Sequence, residues 1–193
     1  MSDADAISVP KVFERYGEYV SRLDDFCRAL RETYWEAIRC RPGCVACCSE
    51  ELTVFPVEAA WIRRRIQAMP AARRGGVEKH LEAYRSSDRR QPCSFLARGR
   101  CLVYAARPLL CRTEGFALAR RAEAEGKWLV SACPRNFEGM DLADRMPQTD
   151  LINLDSLNQS LAVLNHAYVK VSGWKGEERV RLSRVLLLPL RLE

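Results

Sequence analysis

The sequence predicts a mainly α fold, with helices around an irregular cysteine-rich centre and at most a short β-hairpin. Three observations carry this: an amphipathic stripe near each end of the chain, and nine cysteines, most of them clustered between the stripes. Residues 9–39 read as an N-terminal helix, because Val12, Tyr16, Val20, Leu23, Cys27, Leu30, Tyr34 and Ile38 recur at helical spacing. Residues 40–134 form the cysteine-rich core, and Pro42-Gly43 ends the helix at its first cysteine. Leu52–Phe55 reads as a short strand, and Pro56 opens the next helix, since its missing N–H costs nothing in a first turn. A short helix around 77–84 precedes an arginine-rich loop. Residues 116–121 and 128–132 flank Glu125-Gly126 and suggest a hairpin. Residues 150–190 are assigned to C-terminal helices. The first follows Leu154, Leu157, Leu161, Leu164, Tyr168 and Val171, capped by Asn153 or Asp155, and the second is basic, around 177–187.

At 193 residues with 48% hydrophobic content, the chain reads as a single domain, 1–193, able to bury a core. The charge of +6, from 31 basic and 25 acidic residues, is modest and spread out. It is weak evidence for nucleic acid, and thiolates on a metal would lower it further. Met1–Asp5 lacks a basic segment followed by an apolar run, and the longest apolar stretch, Val185–Leu190, falls far below the roughly 20 residues of a membrane span. No membrane span and a cytoplasmic location are therefore expected.

Cysteine is the informative residue. Disulfides are disfavoured in a reducing compartment, the count is odd, and Cys47 and Cys48 are adjacent, so metal is the better reading. The first group is Cys40-Arg-Pro-Gly-Cys44-Val-Ala-Cys47-Cys48, in which a Pro-Gly turn curls the backbone so that thiolates can converge. The second is Cys93-Ser-Phe-Leu-Ala-Arg-Gly-Arg-Cys101-Leu-Val-Tyr104-Ala-Ala-Arg107-Pro108-Leu-Leu-Cys111-Arg112.

These two segments resemble the YkgJ-type cysteine-cluster family, a zinc- or iron-chelating domain. The match runs through Cys93, Phe95, Leu96, Gly99, Cys101, Tyr104, Arg107, Pro108, Cys111 and Arg112. Cys133 stands where the family tends to carry a later cysteine. The commoner family motif has two residues between its first two cysteines, and this chain has three. The resemblance implies Cys40, Cys44, Cys47, Cys48, Cys93, Cys101, Cys111 and Cys133 as metal ligands. Arg107 and Arg112 read as cofactor-binding donors that offset thiolate charge. Related segments occur in flagellin lysine N-methylases.

Cys27 reads as a small buried hydrophobe, Tyr104 as a core residue, and His80 and His166 as structural or solvated. The cofactor is zinc or an iron–sulfur cluster. The spacing of Cys40, Cys44 and Cys47 favours a 4Fe-4S cubane completed by a downstream thiol, with Cys48 pointing elsewhere. Three function classes follow. The first is a module for metal handling or redox and electron transfer. The second is a cluster-dependent, protein-modifying enzyme, and the third is a zinc-stapled module that binds a protein or nucleic acid partner.

Overall fold

The computed structural model describes residues 7–41, 43–87, 92–122 and 127–193. Helix α1 spans Val9–Thr33. It buries Val9, Val12, Phe13, Tyr16, Val20, Leu23, Cys27 and Leu30, the stripe that helical periodicity requires. The helix stops before the expected residue 39. Tyr34 donates to the Asp150 carboxylate at 2.6 Å, and the Ala37 carbonyl accepts from the Phe137 N–H at 2.8 Å, which draws the chain off the helical path.

Strand β1 (Thr53–Val54) precedes α2 (Pro56–Gln67) and α3 (Ala71–Arg85). Pro56 does open α2, and the Glu58 carboxylate accepts the Phe55 N–H at 3.1 Å, closing one orphan donor of the first turn. Next come β2 (Leu96–Ala97), β3 (Arg100–Cys101), α4 (Leu109–Thr113), β4 (Leu118–Arg121) and β5 (Trp128–Ser131). The chain continues through α5 (Leu142–Arg145), β6 (Ile152–Asn153), α6 (Leu154–Ser172) and β7 (Val180–Arg181). The fold is mainly α with small sheets. Asn153 caps α6 by accepting the Ser156 N–H at 3.0 Å, whereas Asp155 accepts the Arg121 N–H.

The chain divides into two compact units. The first comprises Met1–Tyr16, Gly43–Pro108 and Leu164–Glu193. Its core holds Phe13, Tyr16, Trp61 and Tyr168 in tilted and edge-on ring contacts, with Ile62, Ile66 and Leu81 fully buried. Each such side chain contributes about 1.5–3 kcal/mol relative to exposure. β1 pairs antiparallel with β7. The basic helix expected at 177–187 is reduced to one 3₁₀ turn, Leu182–Arg184, after strand β7. Val180, Leu182 and Val185 are buried beside β1, Leu182 donates to the Leu52 carbonyl, and Arg179 donates to that of Thr53. Tertiary pairing overrides the helical propensity of that stretch.

The second unit comprises Gly17–Pro42 and Leu109–Val163. β4 and β5 form the expected hairpin, with Leu118 opposite Ser131, and β6 adds to β4 in parallel. The Glu125-Gly126 turn lies outside the described residues. Tyr19 in α1 donates to the Leu157 carbonyl of α6 at 2.9 Å, and Tyr34 packs edge-on against Phe137.

Candidate metal centre

All nine cysteines are present as thiols. Cys44, Cys47, Cys48, Cys93 and Cys101 fall in the first unit, and Cys27, Cys40, Cys111 and Cys133 in the second.

In the first unit a 3₁₀ turn over Ala46–Cys48 carries Cys47 and Cys48. The Cys93 N–H donates to the Cys48 carbonyl at 3.0 Å, joining this turn to the next cysteine segment. Cys93 then leads into the β2–β3 hairpin, in which Leu96 is opposite Cys101 and Ala97 opposite Arg100. Only Arg98 and Gly99 connect the strands, with φ of 50° and 73°. Two consecutive positive φ values are the geometry of the tight hairpin turn whose twist matches that of its strands. The turn therefore folds Cys101 back towards Cys93.

Three of these thiols are held protonated, with pKa values raised above the usual thiol range. Burial is the largest cause at Cys48, followed by Cys93; a hydrogen bond with Cys47 and the charge of Arg107 act in the opposite sense. Burial also raises Cys93, against a hydrogen bond from the Phe95 backbone, with Cys101, Glu51 and Cys47 adding to the rise. At Cys101 burial again leads, opposed by the Val103 backbone and by Arg107. Mutual repulsion would occur only among groups close enough to feel each other, so Cys47, Cys48, Cys93 and Cys101 are neighbours. Cys48 interacts with Cys47 through its side chain: both lie in one tight 3₁₀ turn, and the two side chains hydrogen-bond.

Arg107 is fixed at the rim of this group. Its Nε donates to the Tyr104 carbonyl at 3.1 Å and its guanidinium lies 3.7 Å from the Tyr104 ring centroid. Tyr104 is 61% exposed, so it is a platform for Arg107 and not the core residue expected. Cys47 is exposed, while Cys44, Cys48 and Cys101 are half-buried. Glu51 and Tyr84 also reach Cys93 electrostatically. No motif spacing marks either residue, since Glu51 is placed by the Ser183 N–H (2.8 Å) and the Tyr84 hydroxyl (3.4 Å). His80 is half-buried and His166 exposed.

In the second unit Cys27 is buried, as expected, and donates through Sγ to the Arg112 carbonyl at 3.8 Å. Arg112 is not at the surface. Its side chain is 3% exposed and its Nη1 meets the Asp24 carboxylate at 2.6 Å. Cys40 follows Arg39, whose N–H donates to the Asn136 side chain, and Cys133 offers its carbonyl to the Asn136 N–H. Among the described residues, no three His, Cys, Asp or Glu side chains already stand in an arrangement that closes on one metal ion. The donor chemistry suits a thiophilic ion nonetheless, with clustered sulfur, backbone N–H donors to two of the sulfurs, and Arg107 beside them.

A mainly α fold bearing clustered thiols defines a cysteine-cluster protein. Residues 39–134 match the family model CxxCxxCC, described as "Putative zinc- or iron-chelating domain", and the chain belongs to that family. No curated protein and no solved structure shows a significant match. Among the described residues, no helix is long and apolar enough to cross a membrane.

Proposed function

We propose that this protein binds zinc or an iron–sulfur cluster through its clustered cysteines and acts in metal handling or redox transfer. Cys47, Cys48, Cys93 and Cys101 form the ligand group of the first unit. The observation that carries this reading is the stitch between Cys48 and Cys93, which, with the hairpin return at Cys101, gathers thiols from distant parts of the sequence. Bound metal would hold the sulfurs as thiolates and supply either a structural cross-link or a redox centre.

The chain's own residues prepare for that charge. The Phe95 and Val103 backbones donate towards the Cys93 and Cys101 sulfurs, and the Arg107 guanidinium, braced on Tyr104, lowers the cost of ionising Cys48 and Cys101. An exposed Cys47 leaves one edge of the group open to incoming ligands, which favours exchange of the metal over permanent burial.

Anaerobic purification followed by metal and sulfide analysis and an absorption spectrum tests the reading. Zinc or iron at one or more per chain, reduced in Cys93→Ser, is the expected result. A preparation that contains neither metal and fails to bind either on reconstitution would overturn it.

A further inference from the structure

The short helix α4 carries Cys111, and the segments that bear Cys27, Cys40 and Cys133 are tied to it or to Gly115 just after it. Along α1, Asp24, Cys27 and Arg31 lie on one face, at the i, i+3 and i+7 positions. Asp24 pairs with Arg112, and Cys27 donates to the Arg112 carbonyl. Arg31 donates to the Cys40 carbonyl at 3.0 Å and lies 5.5 Å from the Phe116 ring centroid. One face of α1 thus covers α4, which carries Cys111, and also the segment at Cys40.

Gly115 follows Cys111 by about one helical turn, with φ of 94°. A Cβ placed on it would stand 3.8 Å from the Cys40 Sγ and 3.1 Å from the Asn136 Nδ2. Asn136, 4% exposed, ties the remaining parts together. Its N–H donates to the Cys133 carbonyl (2.9 Å), its Oδ1 accepts the Arg39 N–H (2.9 Å), and its Nδ2 donates to the Gly115 carbonyl (2.5 Å).

We propose that Cys27, Cys40, Cys111 and Cys133 form a second thiolate metal centre, contained in the second unit, for a thiophilic divalent ion such as zinc or iron(II). This rests on the metal-binding reading above. It adds Cys27, which lies outside the matched residues 39–134, and it raises the expected capacity to two ions per chain. A buried hydrophobe explains the burial of Cys27. It does not explain why that thiol shares a helix face with contacts to Arg112 and Cys40.

Four sulfurs meet the tetrahedral requirement of zinc. Closure rotates the thiols inward, and four thiols plus one M²⁺ give an M(SR)₄²⁻ centre and four released protons. The neighbouring Arg31 supplies positive charge against that product, to which buried Arg112 adds only in part because Asp24 already pairs with it, while Asn136 holds the Cys40 and Cys133 segments in place.

The test is anaerobic reconstitution of full-length, metal-free protein with zinc, and with cobalt(II) as a spectroscopic probe. Wild type should take up two equivalents. The triple variant Cys48→Ser/Cys93→Ser/Cys101→Ser should take up one, with the visible bands of tetrahedral thiolate cobalt. Adding Cys27→Ser to the triple variant should weaken that remaining site at least tenfold. Zinc should also protect Cys40, Cys111 and Cys133 of the triple variant from alkylation, a readout that does not depend on the Cys27 substitution folding. A triple variant that binds no metal, or a Cys27→Ser change that leaves the remaining affinity and cobalt spectrum unaltered, overturns the inference. Wild type binding one equivalent, lost in Cys93→Ser, would leave the metal reading standing and remove only this centre. Wild type binding none removes both.

Discussion

The backbone N–H of Cys93 donates to the carbonyl oxygen of Cys48 at 3.0 Å, although the whole of α2 and α3 lies between them in sequence. The bond fixes main chain to main chain, so the position of the two thiol segments does not depend on side-chain rotamers. In the proposed centre a metal would bind to segments already held side by side, and not to an unfolded loop.

Loss of metal should cost stability in proportion to affinity. At a free metal concentration about 1,000-fold above Kd, linkage supplies about 4 kcal/mol. For a chain of this size that corresponds to roughly 8–16 °C in Tm. Calorimetry of the metal-loaded and chelator-treated protein, both kept anaerobic, measures the difference. Identical transitions would count against a bound native-state metal.

Metal affinity should rise with pH. Cys48, Cys93 and Cys101 have pKa values raised above the ordinary 9.0, so at pH 7.5 each must surrender a proton to become a ligand. The same raised values stabilise the metal-free fold below about pH 9, a contribution lost as pH rises through the folded-state values. Titration calorimetry in buffers of different ionisation enthalpy should report proton release on zinc binding. Arg107→Gln should weaken binding by about tenfold, within the range for groups that support metal ligands.

Tyr34 provides a separate alkaline signature. Its hydrogen bond to Asp150 pushes its pKa up to about 12 from 10.0. Its stabilising contribution is complete below pH 10 and disappears as pH rises through about 12. Tyr34→Phe should flatten the loss of stability across that window, as followed by denaturation at stepped pH. An unchanged profile would argue against the Asp150 bond as its source.

The tight turn predicts opposite effects at adjacent positions. Gly99 has φ of 73°, so Gly99→Ala should destabilise by about 1 kcal/mol, whereas Arg98→Gly relieves a non-glycine residue at φ of 50° and should be neutral or mildly stabilising. Urea denaturation resolves differences of this size.

Both long helices were legible because their apolar residues repeat over many turns, and Asn153 stood where a cap belongs. The β4–β5 hairpin was also legible, from apolar runs around a turn signal. The β7 segment was misread because its pairing with β1 is non-local, and the spacing of Val180, Leu182 and Val185 is compatible with more than one element. Tyr104 was misread because an aromatic residue can serve as a stacking platform as readily as a core residue. The cysteines were visible as a set, but their division between units was not. Cys40 and Cys44 are close in sequence and belong to different units, while Cys48 and Cys93 are distant in sequence and joined by a hydrogen bond.

The two-residue turn at Arg98-Gly99 also orders events in time. A hairpin this short closes in about 1–10 μs, whereas Cys48 reaches it only after α2 and α3 have been laid down between them. In a refolding chain Cys93 and Cys101 can therefore meet before either of them reaches Cys48. An ion captured there early would become a nucleus on which the Cys47–Cys48 turn subsequently docks, and metal supply would then govern the rate of folding as well as its end point.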